Sequence, residues 1–206
     1  MNMVRLFLST LLLSNQENSL SVINWISDEK YTLTGHTSKI TGIAKFSRNI
    51  IISGSNGEIK IWNIKKRKCM RTHLMSNTAT VQSLTKIDRD RIAFYNGSIN
   101  VYDIRKGTIQ FSKEIGNILD IISINEGILG LCGNDDKVRL WYTKDNSITE
   151  IVSHNHVICL SRFSDKMYIS GGCDGYIKLW NIDDKSSVKT FSMYGWILSL
   201  LTIGYK

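Results

Sequence analysis

One eight-residue pattern returns along this chain at nearly constant spacing, and it constrains the fold more than any other feature. "NGEIKIWN" at 56–63 recurs as "NGSINVYD" at 96–103, "DDKVRLWY" at 135–142 and "DGYIKLWN" at 174–181, with a weaker copy, "ENSLSVIN", at 17–24. Ile23, Trp62, Tyr102, Trp141 and Trp180 share one equivalent position, separated by 39, 40, 39 and 39 residues. A period near 40 residues means that one supersecondary unit is copied, each copy relying on its neighbours to bury its faces.

Each unit reads as short strands. In the clearest one, "ITGIAKF" (40–46) and "NIIIS" (49–53) are β-rich runs, followed by the turn "GSNG", the alternating strand "EIKIWN" and a fourth segment around "CMRT" at 69–72. Alternation predicts Ile59 and Ile61 on one face and Glu58 and Lys60 on the other, the more deeply packed face being the apolar one. One such sheet cannot bury both faces alone, and stacking around an axis solves this. The expected class is therefore all-β, a β-propeller of four-stranded antiparallel blades. The chain has no proline, so its turns rely on Gly, Asn, Asp and Ser.

"GH" at 35–36, "SGSNG" at 53–57 and "IKIWN" ending at Asn63 resemble the Gly-His to Trp-Asp framework of the WD-repeat (WD40-like) β-propeller family, and the last repeat resembles it equally well. In that family a His, a Ser or Thr, a turn Asp and the Trp form a hydrogen-bonded structural network. The resemblance implies such a network from His154, Ser170, Asp174 and Trp180. A weaker version would join His36, Ser53, Asn56 and Trp62, with Asn56 where the family favours Asp and a turn one residue shorter. The His-to-Trp spacing is 26 residues in both. The third unit has Tyr102-Asp103 and no His, and in the fourth the His position falls at Ile115.

The N-terminal run "MNMVRLFLSTLLLS" imitates a secretory signal, yet no Ala-x-Ala site follows it. Subtracting 39 from Ile43, Phe46, Ile51, Ile52 and Ser53 gives Val4, Phe7, Leu12, Leu13 and Ser14, so the run is read as the first two strands of blade one. Blades are expected at about 1–34, 35–73, 74–113, 114–152 and 153–192, with 193–206 starting a sixth, all in one domain. Such a count fits a truncated or divergent propeller, a five-bladed ring, or half of an assembly that self-associates through exposed strand edges.

No chemistry-bearing constellation emerges, and the chain is expected not to be an enzyme. Cys69, Cys132, Cys159 and Cys173 are 63, 27 and 14 residues apart, without a zinc spacing, and read as reduced intracellular thiols. Cys173 has only Asp174 beside it, which raises rather than lowers a thiol pKa. "HNH" at 154–156 offers two nitrogens where zinc needs three or four ligands. "SGGCDG" opens a strand, whereas a phosphate loop opens a helix. No catalytic, cofactor or metal site is expected, and no apolar stretch reaches the length of a membrane span.

The functional signal is therefore surface. Turns before each third strand and loops before each first strand share one rim, which in the family commonly docks partners; the candidates are Thr37, Lys39, Ser55, Tyr95, Asn134, His156, Cys173 and Tyr194. The opposite rim carries Lys65, Lys66, Arg67 and Lys68 ("KKRK"), with Arg48, Arg89, Arg91, Arg105 and Lys106 in comparable loops. The chain's net charge is +8, which favours acidic partners, although Asp88, Asp90, Asp183 and Asp184 dilute the basic rim. The leading expectation is a scaffold for protein partners, in the cytoplasm or nucleus. The other is a module for nucleic acid or anionic lipid, within a ribonucleoprotein, that uses the basic rim.

Overall fold

A computed structural model describes residues 3–7, 10–14, 18–24, 26–75 and 79–202. They form five four-stranded antiparallel sheets. The first contains β1 to β4, Met3–Phe7, Thr10–Ser14, Leu20–Asn24 and Glu29–Leu33. The second contains β5 to β8, Gly42–Lys45, Ile50–Ser55, Glu58–Asn63 and Lys68–Leu74. The third contains β9 to β12, Ser83–Lys86, Arg91–Tyr95, Ser98–Asp103 and Thr108–Glu114. The fourth contains β13 to β16, Ile118–Asn125, Ile128–Gly133, Lys137–Tyr142 and Ser147–Val152. The fifth contains β17 to β20, Val157–Ser164, Met167–Gly172, Tyr176–Asn181 and Ser186–Ser192. Each sheet is one meander of sequential strands, the form of a propeller blade.

Two compact units divide the described residues, one drawn from Met1–Lys86 and Arg91–Lys113, the other from Ile87–Asp90 and Glu114–Lys206. In the first unit, Ala44, Ile52, Ile59, Ile61, Val81, Leu84 and Phe94 bury the space between the second and third sheets, and Leu20, Val22, Ile40, Ile51 and Trp62 that between the first and second. In the second unit, Cys132, Val138, Leu140, Val157, Leu160, Tyr168 and Trp180 do the same between the fourth and fifth. Burying one such aliphatic side chain is worth about 1.5–3 kcal/mol. Outer strands are polar and exposed: every residue of β20 is exposed, and so is nearly all of β12.

Because blades stack face to face, the second face of β7 is also buried. Glu58 and Lys60 are 3 % and 8 % exposed, against the expectation that one face would be the more deeply packed, and they pair with each other at 3.1 Å. Stacking also explains two glycines at equivalent positions. A Cβ on Gly54 would lie 2.5 Å from Val81, and one on Gly171 2.4 Å from Ile197. Residues 193–202 thus lie against the fifth blade much as the start of the third blade lies against the second. Ile197 N donates to Gly172 O and Met193 N to Gly175 O, as Val81 N does to Ser55 O and Met75 N to Gly57 O.

The first blade departs from the subtraction register. Trp62 pairs with Ile51, whereas its equivalent Ile23 pairs with Leu11, not Leu12. Ser14 sits opposite Leu20, as Gly54 sits opposite Ile59, so Leu13 and not Ser14 is the counterpart of Ser53. One more residue separates Ser14 from Leu20 in the sequence than separates Gly54 from Ile59. The side chains of Val4, Phe7 and Leu12 lie outside the described residues.

Candidate functional site

In the fifth blade the side chains of β18, β19 and two loops form one chain of hydrogen bonds. Trp180 Nε1 donates to Ser170 Oγ at 2.7 Å, and Ser170 Oγ lies 2.6 Å from His154 Nε2. His154 Nδ1 lies 3.0 Å from Asp174 Oδ1. Since indole only donates and carboxylate only accepts, the serine donates to Nε2 and the histidine carries its proton on Nδ1. Burial pushes the imidazole below its ordinary value in spite of the carboxylate. Burial acts to raise Asp174, but the Tyr176 and Asn155 amides and His154 outweigh it and hold the carboxyl below its usual value.

The second blade repeats the chain with a different acid. Trp62 Nε1 donates to Ser53 Oγ at 2.8 Å, Ser53 Oγ lies 2.6 Å from His36 Nε2, and His36 Nδ1 lies 2.8 Å from Glu58 Oε1. Asn56, expected as the acceptor, is exposed and faces elsewhere: its Oδ1 accepts from Thr80 Oγ1 at 2.5 Å and its amide donates to Ser38 Oγ. The shorter turn leaves Asn56 outside, and Glu58, the first residue of β7, reaches back into the vacated position. Ser55, expected on the docking rim, is fully buried and lies 2.9 Å from His36 Nδ1. Tyr95, also expected there, is only 4 % exposed; it occupies the position of Gly54 and Gly171 in its own blade.

Where the histidine is missing, the serine is missing with it, although the fourth blade keeps Asp135 and Trp141. The position of Ser53 and Ser170 is Phe94 in the third blade and Leu131 in the fourth, both fully buried. A buried hydroxyl without its imidazole would be an unmet polar group. In the fourth blade Asp135 is engaged by the Arg139 guanidinium, whose hydrogen bonds hold its carboxyl below the usual range. His36, Ser53, Glu58 and Trp62, like His154, Ser170 and Trp180, are buried, and each is hydrogen-bonded within its chain. Among the described residues, no group of three or more His, Cys, Asp or Glu side chains is placed to hold a metal, and no helix is long and apolar enough to cross a membrane.

The second unit carries a cleft of about 690 Å³ lined by Leu119, Asn134, Asn155, His156, Ile158, Cys173, Trp196 and Leu198. It brings together three of the expected docking residues, Asn134 from the β14–β15 turn, His156 before β17 and Cys173 from the β18–β19 turn. Backbone bonds fix the floor: Cys173 N donates to His156 O, and His156 N to Asp136 Oδ1. Trp196 and Leu198 are 69 % and 67 % exposed, and Leu119 and Ile158 add apolar wall. These four were not among the candidates; for Leu198 the signal was that Ile197-Leu198-Ser199-Leu200 repeats Val81-Gln82-Ser83-Leu84 with an apolar residue in place of Gln82. Tyr194 is fully exposed nearby in sequence, while Thr37 and Lys39 are exposed in the first unit.

The basic residues are placed unequally. Lys65, Lys66, Arg67 and Lys68 project from the β7–β8 turn, which Ile64 N ties to Asn49 O beside Arg48. Arg71 Nη1 donates to Ile104 O at 2.7 Å and to Arg105 O at 3.3 Å, bringing the turn of Arg105 and Lys106 alongside. Gly107, at φ +77°, permits this: a Cβ there would lie 2.6 Å from the guanidinium. Arg67 is not free, because it pairs with Glu29 and stands 4.6 Å over the Tyr31 ring. Arg91 is half-buried and engaged, and Arg89 falls in the other unit.

The model of the "WD domain, G-beta repeat" family matches residues 27–63 and 145–181. Each match spans the outer strand of one sheet and the first three strands of the next, and ends just past Trp62 or Trp180. The chain is 25% identical to human apoptotic protease-activating factor 1 over 90% of its own length and 16% of that protein. It is 24% identical to autophagy-related protein 16 of Arabidopsis thaliana over 74% of the chain and 33% of the relative. With the U3 small nucleolar RNA-associated protein 12 of Saccharomyces cerevisiae the figures are 26%, 83% and 21%. The chain thus spans a third or less of these relatives. The solved structure of U3-55K superposes with a TM-score of 0.80 at 17% identity, covering 92% of this chain and 63% of that one. Five meander blades, the Trp-Ser-His-acid chains in two of them and these matches together support a WD-repeat β-propeller.

Proposed function

We propose that the protein is a non-catalytic scaffold that docks a protein partner in the cleft of its second unit. The observation that carries this reading is the cleft itself, where Leu119, Ile158, Trp196 and Leu198 present apolar surface beside Asn134, Asn155, His156 and Cys173. An aromatic anchor flanked by aliphatic wall and a few polar groups on a fixed backbone is the composition of an interface centre. The rigid blades supply the preorganisation that keeps the ordering cost of binding low. The WD-repeat matches support the same class of role, and four free thiols suit a reducing compartment, cytoplasm or nucleus.

The test is affinity capture from cells with the wild type, a Trp196→Ala/Leu198→Ser variant and a Thr37→Glu/Lys39→Glu variant as comparison. The cleft variant is expected to lose specific co-purifying proteins that the comparison variant keeps. Identical protein sets and amounts from all three would refute the docking role of the cleft.

A further inference from the structure

Charge is divided very unequally along the chain. The first unit's sequence holds 16 Lys and Arg against 5 Asp and Glu, a balance of +11. The second holds 10 against 13, a balance of −3. The overall +8 therefore belongs to one unit.

Within that unit the excess is gathered at the end where β7–β8, β5–β6 and β11–β12 turn. Arg48, Lys65, Lys66, Lys68, Arg105 and Lys106 are all exposed there. Arg48, Lys65, Lys66, Lys68 and Lys106 have no acidic partner among the described residues, in contrast to Lys137, Arg162 and Lys166 of the second unit, which do. The turns are held rather than loose. Asn63 Oδ1 accepts from Lys66 N, Asp103 Oδ1 accepts from Arg105 N and Lys106 N, and Arg71 bridges the two blades. Their apolar residues point inward, Ile64 being 8 % exposed and Ile104 packed on the core.

We propose that this basic rim is a binding surface for a nucleic-acid strand, contacted through its phosphodiester backbone. Several unpaired cations fixed on adjacent turns raise local affinity for a polyanion by releasing its counterions. Tyr31, which shares a pocket with Lys65 and Arg67, is half-buried beneath the Arg67 guanidinium and donates its hydroxyl to Ile64 O, so its ring is occupied and the surface reads phosphate rather than stacked bases. A membrane is the rival surface, and the feature it would use is the 79 % exposed Ile26 on the corresponding turn of the first blade. A single apolar tip beside six cations favours the polymeric phosphate. The proposal is independent of the protein-docking cleft, which lies in the other unit.

Fluorescence anisotropy with a labelled oligouridine across a salt series tests it, using the intact protein and three variants. Lys65→Gln/Lys66→Gln/Lys68→Gln is expected to make the log K against log salt slope shallower by about 2, near 0.7 for each lysine removed on a single strand. The corresponding arginine variant retains the slope, and Lys144→Gln/Lys185→Gln, on the equivalent turns of the second unit, leaves it unchanged. No oligouridine binding, an unchanged slope in the triple glutamine variant, or an equal loss in the second-unit variant would overturn the proposal. So would binding to phosphatidylserine-containing vesicles that needs the same lysines while oligouridine is ignored.

Discussion

Glu58 meets His36 at 2.8 Å from the first residue of a strand, whereas Asp174 meets His154 at 3.0 Å from a turn. Two different backbone positions thus deliver a carboxylate to the same point of the same hydrogen-bond chain. The imidazole needs an acceptor for its Nδ1 proton, and the nearest side chain long enough to supply one takes the place.

Glu58→Ala is expected to destabilise the fold by about 1–3 kcal/mol, because it leaves the Thr37 amide unmet, Lys60 without its counter-charge and Ser55 Oγ as the remaining acceptor for His36 Nδ1. Asn56→Ala is expected to stay within about 0.5 kcal/mol, as an exposed turn residue. Equal thermal shifts for the two variants would remove Glu58 from the network.

Asp174→Ala should cost a similar amount, on the order of 1–3 kcal/mol, by leaving His154 Nδ1 unmet. An unchanged melting curve for this variant would show that the fifth-blade chain contributes nothing to stability.

Gly54→Ala is expected to destabilise by about 1–3 kcal/mol through overpacking against Val81. Because the Val81 Cβ itself would lie 2.6 Å from the added methyl, Val81→Gly and not Val81→Ala makes room for it, so a Gly54→Ala/Val81→Gly double-mutant cycle should show compensation. Purely additive costs would locate the strain elsewhere.

Stability should fall on acidification. Burial lowers the folded-state pKa of His36, His73 and His154 below the ordinary 6.5. Between those folded values and 6.5 the unfolded chain binds more protons, so their contribution is complete above pH 6.5 and is lost as the pH drops below it. Glu58 and Asp174, held below 4.5 and 3.8, add a second loss at lower pH. Melts from pH 8 to pH 5 should show a declining midpoint that flattens in a His36→Gln/His154→Gln variant, and an undiminished slope in that variant would exclude these histidines as the source.

Thiol labelling should separate the cysteines. Burial pushes Cys132 well up and Cys159 to about 12, and both are packed in the second unit's core. Cys69 and Cys173 are half-buried. Maleimide at neutral pH should modify the latter pair in the native protein and all four in denaturant, and a bound cleft partner should shield Cys173. Rapid native labelling of Cys159 would contradict the described packing.

Much of this was legible in one dimension because a repeat makes the chain its own comparison. The spacing of Trp62, Trp141 and Trp180, the alternation around them and the Gly-bearing turns specify a four-stranded unit, and five copies specify the class of fold. The basic turns and three polar members of the cleft could also be named from their place in the unit. Residues equivalent in the repeat were not always equivalent in space. Ser55 and Tyr95 carry rim positions by spacing, yet Ser55 turns in to His36 and Glu58, and Tyr95 is 4 % exposed.

The sequence by itself determined the blade, its repetition and the turns, since these follow from local periodicity and backbone freedom. Only the tertiary structure decided that Glu58 rather than Asn56 serves His36, that Leu13 rather than Ser14 answers to Ser53, and that Trp196 and Leu198 complete a cleft with Cys173. Each of these depends on how side chains and strands distant in sequence fit together, and a one-residue difference in a turn is enough to change the partner without changing the pattern.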